Sequence, residues 1–269
     1  MKKIFLVLLI FSASRSYAQE LFLFTEPASN MAKGNVGVRL NNMLMQNSAA
    51  SDNYKYHLIP EVMFGVSRKV MVHTDVFLSD ETNRFTAEGA SLYAKYRFFS
   101  IDGIHNHFRM AAFGRYSFNN ASIHDAAINL YGHNSGYEGG IVATKLIHKV
   151  AINVSGTFSH ALDNDEHKFI YGDENRNAIN YTLSVGKLML PKEYVAYKQT
   201  NLNLMLEVLG QANLQTGDSY LDIAPAAQII VDSKMRFDIG YRYAVVSTLY
   251  RQETQGFLIR LEYNFFNVY

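Results

Sequence analysis

Apolar and polar residues alternate along most of this chain with a period of two. From Asn201 to Gln211, Leu202, Leu204, Leu206 and Val208 share one face, while Asn201, Asn203, Glu207 and Gln211 share the other. Met235, Phe237, Ile239, Tyr241, Tyr243 and Val245 alternate with Arg236, Asp238, Gly240 and Arg242. Near the C-terminus, Phe257, Ile259, Leu261, Tyr263 and Phe265 alternate with Arg260, Glu262 and Asn264. Successive side chains of an extended strand point to opposite faces, so each run predicts a strand with one apolar and one polar face. A helix would carry Arg242 and Arg260 into its apolar stripe.

Such runs recur about twelve times, over 34–45, 54–66, 70–79, 86–98, 107–118, 134–145, 150–162, 177–189, 200–212, 220–231, 235–246 and 256–266. Each is roughly ten to thirteen residues long, which is what a tilted strand needs to cross a bilayer. Strands of globular proteins centre on about five or six residues. The expected fold is therefore all-β: a closed, antiparallel, up-and-down transmembrane barrel of about twelve strands, occupying 34–269.

The connections support this arrangement. Ser67-Arg68-Lys69, Ile147-His148-Lys149 and Asp232-Ser233-Lys234 read as tight turns, whereas 46–53, 80–85, 119–132, 163–176, 214–219 and 247–255 are mostly longer and polar. Short turns belong on the periplasmic side of a membrane barrel and long loops outside. An even strand number then leaves both termini in the periplasm. The chain closes on Phe265-Phe266-Asn267-Val268-Tyr269, which is similar to the C-terminal signal read by the machinery that inserts outer-membrane barrels.

Composition narrows the class further. There are 18 Tyr, 18 Phe and 4 Pro, charged residues make up 18%, and mean hydropathy is −0.08 despite 48% hydrophobic residues. That balance fits strands with one face in lipid and one in water, and no long apolar run follows residue 18 to suggest a helical membrane protein. Lys2 and Lys3, the apolar Ile4–Phe11 stretch and Ser16-Tyr17-Ala18 form a secretory signal peptide over 1–18, with Gln19 as the mature N-terminus. Residues 19–33 make a periplasmic N-terminal segment. Its Leu21–Phe24 stretch is apolar and Pro27 interrupts any ladder, so it lies along the rim or folds into the lumen as a small plug; the rim is the simpler expectation. With no Cys and a net charge of +1, the chain has neither disulfides nor thiolate sites, and no strong field for nucleic acid.

On the same alternation, Arg39, Lys95, Arg97, Arg109, Arg115, Arg236, Arg242 and Arg260 face the lumen, together with Glu61, Asp75, Glu138, Glu207, Asp222, Asp238 and Glu262. On the lipid face an Arg or Lys at the midplane would cost about 2–4 kcal/mol. A ring of such charges can select solutes, but the near balance of signs favours pairing across a narrow lumen over a filter of one sign.

Two further constellations invite chemistry. His133 and Ser135 are two apart at the outer end of the sixth strand, on the face that Tyr137, Ile141 and Ala143 mark as lipid-facing. A Ser beside a His is a candidate nucleophile. The pair resembles the His-x-Ser motif of outer-membrane phospholipase A and of lipid A deacylases, although those families continue with Asn where Gly136 stands here. Asn120 and Asn164 are the loop residues available to orient the His. Among soft or nitrogen ligands, His105 and His107 share a face, His57 and His73 point inward, and Met43 and Met45 lie on the first strand. None of these has metal-ligand spacing, so no metal and no cofactor are expected.

Taken over its mature length, the chain resembles the Gram-negative outer-membrane barrels of about twelve strands, a broad set that includes a group named phenol meta-pathway transporters. The resemblance is architectural and carries over no site residues. It implies a channel or transporter for small solutes, with outer-membrane lipids around it. A lipid hydrolase and a purely structural, plugged barrel are the alternatives.

Overall fold

The computed structural model describes residues 22–47, 54–81, 84–103, 106–169, 175–193 and 199–269. The expected signal peptide and His105 lie outside them. Twelve strands form in chain order: β1 (Val36–Asn47), β2 (Tyr54–Phe64), β3 (Val70–Ser79), β4 (Thr86–Gly103), β5 (Asn106–Asn119), β6 (Gly136–Ile147), β7 (Val150–Ala161), β8 (Asn177–Leu190), β9 (Asn201–Asn213), β10 (Ser219–Val231), β11 (Met235–Ser247) and β12 (Glu253–Phe265). Each pairs antiparallel with its sequence neighbours. The cylinder closes where β1 meets β12, from Val36 opposite Phe265 to Asn47 opposite Glu253. Closure removes every sheet edge and satisfies the backbone within the wall, as a bilayer requires.

The alternation read from the sequence becomes an inside and an outside. On β12, Phe257, Ile259, Leu261 and Tyr263 are exposed on the outer surface, while Leu258, Arg260 and Glu262 are buried within. Exposed aromatics ring both ends of the apolar wall. Tyr54, Tyr116, Phe118 and Tyr137 lie toward the end that carries the longer connections; Tyr96, Phe98, Tyr263 and Phe265 lie toward the end with tight turns. Two aromatic girdles flanking an apolar band are the outer surface of a membrane barrel.

The strand boundaries depart from expectation mainly at two places. The β4–β5 hairpin runs on to Gly103 opposite Asn106, beyond the residue 98 at which alternation becomes unclear. β12 begins at Glu253 rather than 256, because pairing with β1 persists across a register shift at Gln46/Asn47. The start of β1 and the C-terminal residues meet at the turn end: Val268 N–H donates to the Gly34 carbonyl at 2.7 Å, and the Tyr269 hydroxyl donates to the Gly65 carbonyl at 3.0 Å. Gly34 itself has φ +80°, and a Cβ there would stand 2.6 Å from the Tyr269 carbonyl oxygen, so the junction requires glycine.

Candidate functional site: the filled lumen

The inner wall is organised by Arg39. Register sets it opposite Glu61 of β2 and Glu262 of β12, and its guanidinium meets their carboxylates at 3.1 and 2.8 Å. Arg236 bonds Asp238 at 2.8 Å and reaches Glu262 at 3.4 Å. Arg115 bonds Asp75 at 2.7 Å and Glu138 at 3.2 Å, and Arg242 bonds Asp222 at 2.6 Å. Apart from Glu138, Arg115 and Arg242, which keep some exposure, these side chains are almost wholly buried. Removing one member of such a pair strands the other, at a cost of about 3–5 kcal/mol. Arg97 and Arg109 do not join this network. Arg97 donates to the Arg68 carbonyl at the turn end, and Arg109, on the extended β4–β5 hairpin, pairs with Asp102 at 2.7 Å and faces inward to donate to Ser29 Oγ of the N-terminal segment at 2.9 Å.

The described part of the N-terminal segment does not follow the rim. It enters at the turn end and crosses the lumen, its backbone bonded to wall side chains along the way. Ala28 N–H donates to Thr144 Oγ1 at 2.8 Å, and the Pro27 carbonyl accepts from Lys95 Nζ at 2.7 Å. Glu26 accepts from Arg39 at 2.8 Å. The carboxylate of Glu207, in the middle of β9, then receives three successive backbone N–H groups: Leu23 at 2.7 Å, Phe24 at 2.9 Å and Thr25 at 3.0 Å. Arg260 closes the path by donating to the Leu23 carbonyl at 2.6 Å. Phe22 and Leu23 pack against the inward Ala151, Met205 and Leu258. Gly240 of β11 makes room for them, since a Cβ there would fall 2.5 Å from Leu23 Cδ2.

From the opposite end, the β5–β6 connection (120–135) folds inward instead of standing in solvent. Ile123, Ile128 and Leu130 form a buried cluster with Ala161, Phe169 and Ala178. Ile128 exchanges two 2.8 Å backbone hydrogen bonds with the Gln211 side-chain amide. Tyr131 reaches the charged wall. Its hydroxyl accepts from Asn41 Nδ2 at 2.7 Å and donates to Glu61 at 3.3 Å, while the Arg115 guanidinium lies 4.9 Å from its ring centre. Glu61 thus touches the loop through Tyr131 and, through Arg39, the N-terminal segment. A cavity of about 310 Å³ lies among the segment, the loop and the wall, lined by Glu26, Arg115, Glu138, Tyr131, Arg242 and Arg260 among others.

His133 and Ser135 belong to the root of this loop, and the expected lipid-facing pair does not form. Ser135 is buried; its hydroxyl donates to the Asn119 carbonyl at 3.0 Å and accepts from the Asn119 N–H at 2.8 Å. His133 turns inward, its Nε2 lying 3.7 Å from Glu253, with the His57 ring centre 5.0 Å away. The alternation that assigned both to the lipid face holds only within strands, and β6 begins at Gly136. That glycine has φ +151°, and a Cβ there would fall 2.1 Å from the His160 carbonyl oxygen, so no Asn can follow Ser135 in this backbone. Asn164 does anchor the turn, accepting from Ser135 N–H at 2.6 Å and donating to the His133 carbonyl at 2.7 Å, but it holds backbone and not the imidazole.

Sequence reasoning passed over several lumen residues. Arg251, in the short β11–β12 connection, bonds both oxygens of Asp222 at 2.7 and 2.9 Å. Tyr131 and Glu253 were likewise placed in loops. A signal was present for Tyr131: its loop carries Ile123, Ala126, Ala127, Ile128 and Leu130, more apolar than a solvated loop warrants.

No family model matches the chain, and neither does any curated protein sequence. Among solved structures, an outer membrane channel from Pseudomonas putida F1 is similar in fold, with a TM-score of 0.55 at 12% identity over 90% of this chain and 99% of that one. KdgM porin aligns with a TM-score of 0.49 at 10% identity, over 86% of this chain and 99% of its own. At this level of identity the likeness is one of overall fold alone.

Proposed function

We propose that this chain is an outer-membrane channel for small solutes, narrowed at rest by its own N-terminal segment and by the loop 120–135. The observation that carries the reading is the cavity between those two inserts, lined in part by charged residues of both signs, inside a closed barrel whose outer surface is apolar. A wall of that kind belongs in hydrocarbon, and a cavity lined by charges of both signs belongs in water. The Pseudomonas putida structure is that of an outer membrane channel, and by fold analogy the same role suits this barrel. The tight turns, the start of β1 and the end of β12 then lie in the periplasm, and Phe265–Tyr269 serves as the segment offered to the insertion machinery.

We read the chain as a non-enzyme. Ser135 is held by Asn119 and His133 faces Glu253, so the arrangement lacks the bond that would activate the hydroxyl. Conductance of the refolded mature chain in planar bilayers tests the channel reading. Small steps with weak ion selectivity are expected, because paired charges of both signs surround the path. A silent barrel, even after removal of residues 20–31, would support a structural role instead.

A further inference from the structure

Among the described residues, two clusters in the lumen bring three potential metal ligands together, each with its donor atoms within 4.8 Å of one another: Glu26, Glu61 and His73, and His57, His133 and Glu253. The first already has its countercharge, since Arg39 bonds both carboxylates and Lys95 approaches Glu26 at 3.5 Å. A cation entering there would meet two others. The second cluster differs in every respect that matters to a metal.

We propose that His57, His133 and Glu253 bind a borderline divalent metal ion of the Zn2+ class at the loop end of the lumen, clamping the loop 120–135 to the wall. Two imidazoles and one carboxylate, with a fourth position left for water, are a set that such ions accept. Ligands bonded at about 2.0–2.1 Å in a tetrahedron stand roughly 3.3–3.4 Å apart. Glu253 lies 2.7 Å from His57 Nε2 and 3.7 Å from His133 Nε2, so its two oxygens bracket that spacing. The three residues line a pocket of about 20 Å³, room for a single ion or water.

The surroundings favour a cation. Glu81, Glu88 and Asp125 line the same pocket. The nearby basic groups are engaged elsewhere: Lys55 donates to the Glu81 carbonyl at 2.6 Å, and Arg242 and Arg251 are both held by Asp222. The ligands are also positioned before any ion arrives. His57 and Glu253 sit on strands, and the backbone of His133 is fixed by Asn164 at its carbonyl and by the Asn129 carbonyl at its N–H. Because the ligands come from β2, the β5–β6 loop and β12, they show no spacing in the sequence, yet together they join the inward loop to the two strands that flank β1.

Calorimetric titration of the tag-free, refolded mature chain with ZnCl2 in detergent tests the proposal, and the absence of cysteine removes thiol binding as a source. One Zn2+ per chain is expected, with His57→Ala and His133→Ala each weakening affinity at least about tenfold while His73→Ala leaves it unchanged. Co2+ in place of Zn2+ should give a visible ligand-field band that both variants lose. Should His57→Ala fail to fold, as judged by heat-modifiable migration, His133→Gln lies outside the strands and carries the test. A folded wild-type chain that takes up no Zn2+, or binding unchanged when His133 is replaced, would overturn the site.

Discussion

The two inserts that narrow the lumen are held by different chemistry. The N-terminal segment is anchored by charge: Glu207 gathers three of its backbone N–H groups, Arg260 and Lys95 donate to its carbonyls, and Arg39 holds Glu26. The loop 120–135 is anchored mainly by amides and hydroxyls, with Gln211, Asn119, Asn164 and Asn41 as partners, and by an apolar cluster of its own. Hydrogen bonds to charged groups contribute about 1.5–3 kcal/mol each, against about 1 kcal/mol for neutral ones. The segment therefore depends on a few strong contacts, and it is joined to the barrel at one end only. The loop depends on many weak contacts and is joined at both ends. Release of the segment is the smaller rearrangement, and it is the one that would open the turn end of the lumen.

Removing the segment should give the largest effect. Deleting residues 20–31 is expected to raise single-channel conductance several-fold, because the space of a twelve-stranded barrel is then obstructed only by the loop. Equal conductance with and without the segment would mean that the loop alone limits the path. Next comes the charge that holds it. Glu207→Gln should weaken docking of the segment by about 2–3 kcal/mol, read as long-lived openings in single-channel records. Gln211→Ala at the corresponding anchor of the loop should leave those openings rare. The smallest expected effect is at Tyr131→Phe, which removes the hydroxyl shared by Asn41 and Glu61. A loss of about 1 kcal/mol in unfolding free energy should follow, with little change in conductance. If Tyr131→Phe instead matches Glu207→Gln in the conductance record, the two inserts move as one unit through the Glu61–Arg39 pair.

The wall was legible in the sequence and its contents largely were not, for a physical reason. A strand with lipid on one side and polar lumen on the other must alternate, so the runs at 200–212, 235–246 and 256–266 announced themselves. The inserts left a fainter trace, in apolar residues standing on polar faces. Met205 and Leu209 share the inward face of β9 with Asn203 and Glu207, and Leu258 shares that of β12 with Arg260. Those positions face Phe22 and Leu23 or line the cavity beside them. An inward Gly240 looks like a tolerant lumen position in the sequence, whereas in the structure it is the space Leu23 occupies. Glu253 was hidden because alternation is interrupted at Gly256, just where β12 begins to pair with β11. Nothing in the sequence could show that Arg251 returns to Asp222.

The account rests on the N-terminal segment lying inside the barrel, and one cross-link tests this directly. Thr25 Oγ1 stands 2.9 Å from Ser184 Oγ of β8, within the lumen. In a chain that has no cysteine, Thr25→Cys with Ser184→Cys provides a single possible disulfide, and side chains in such contact are within bridging range. Mild oxidation of the folded double variant should join them nearly completely and hold conductance at its small resting value, with openings returning on reduction. Two thiols that stay free and both react with maleimide after oxidation would place the segment outside the lumen and contradict the account.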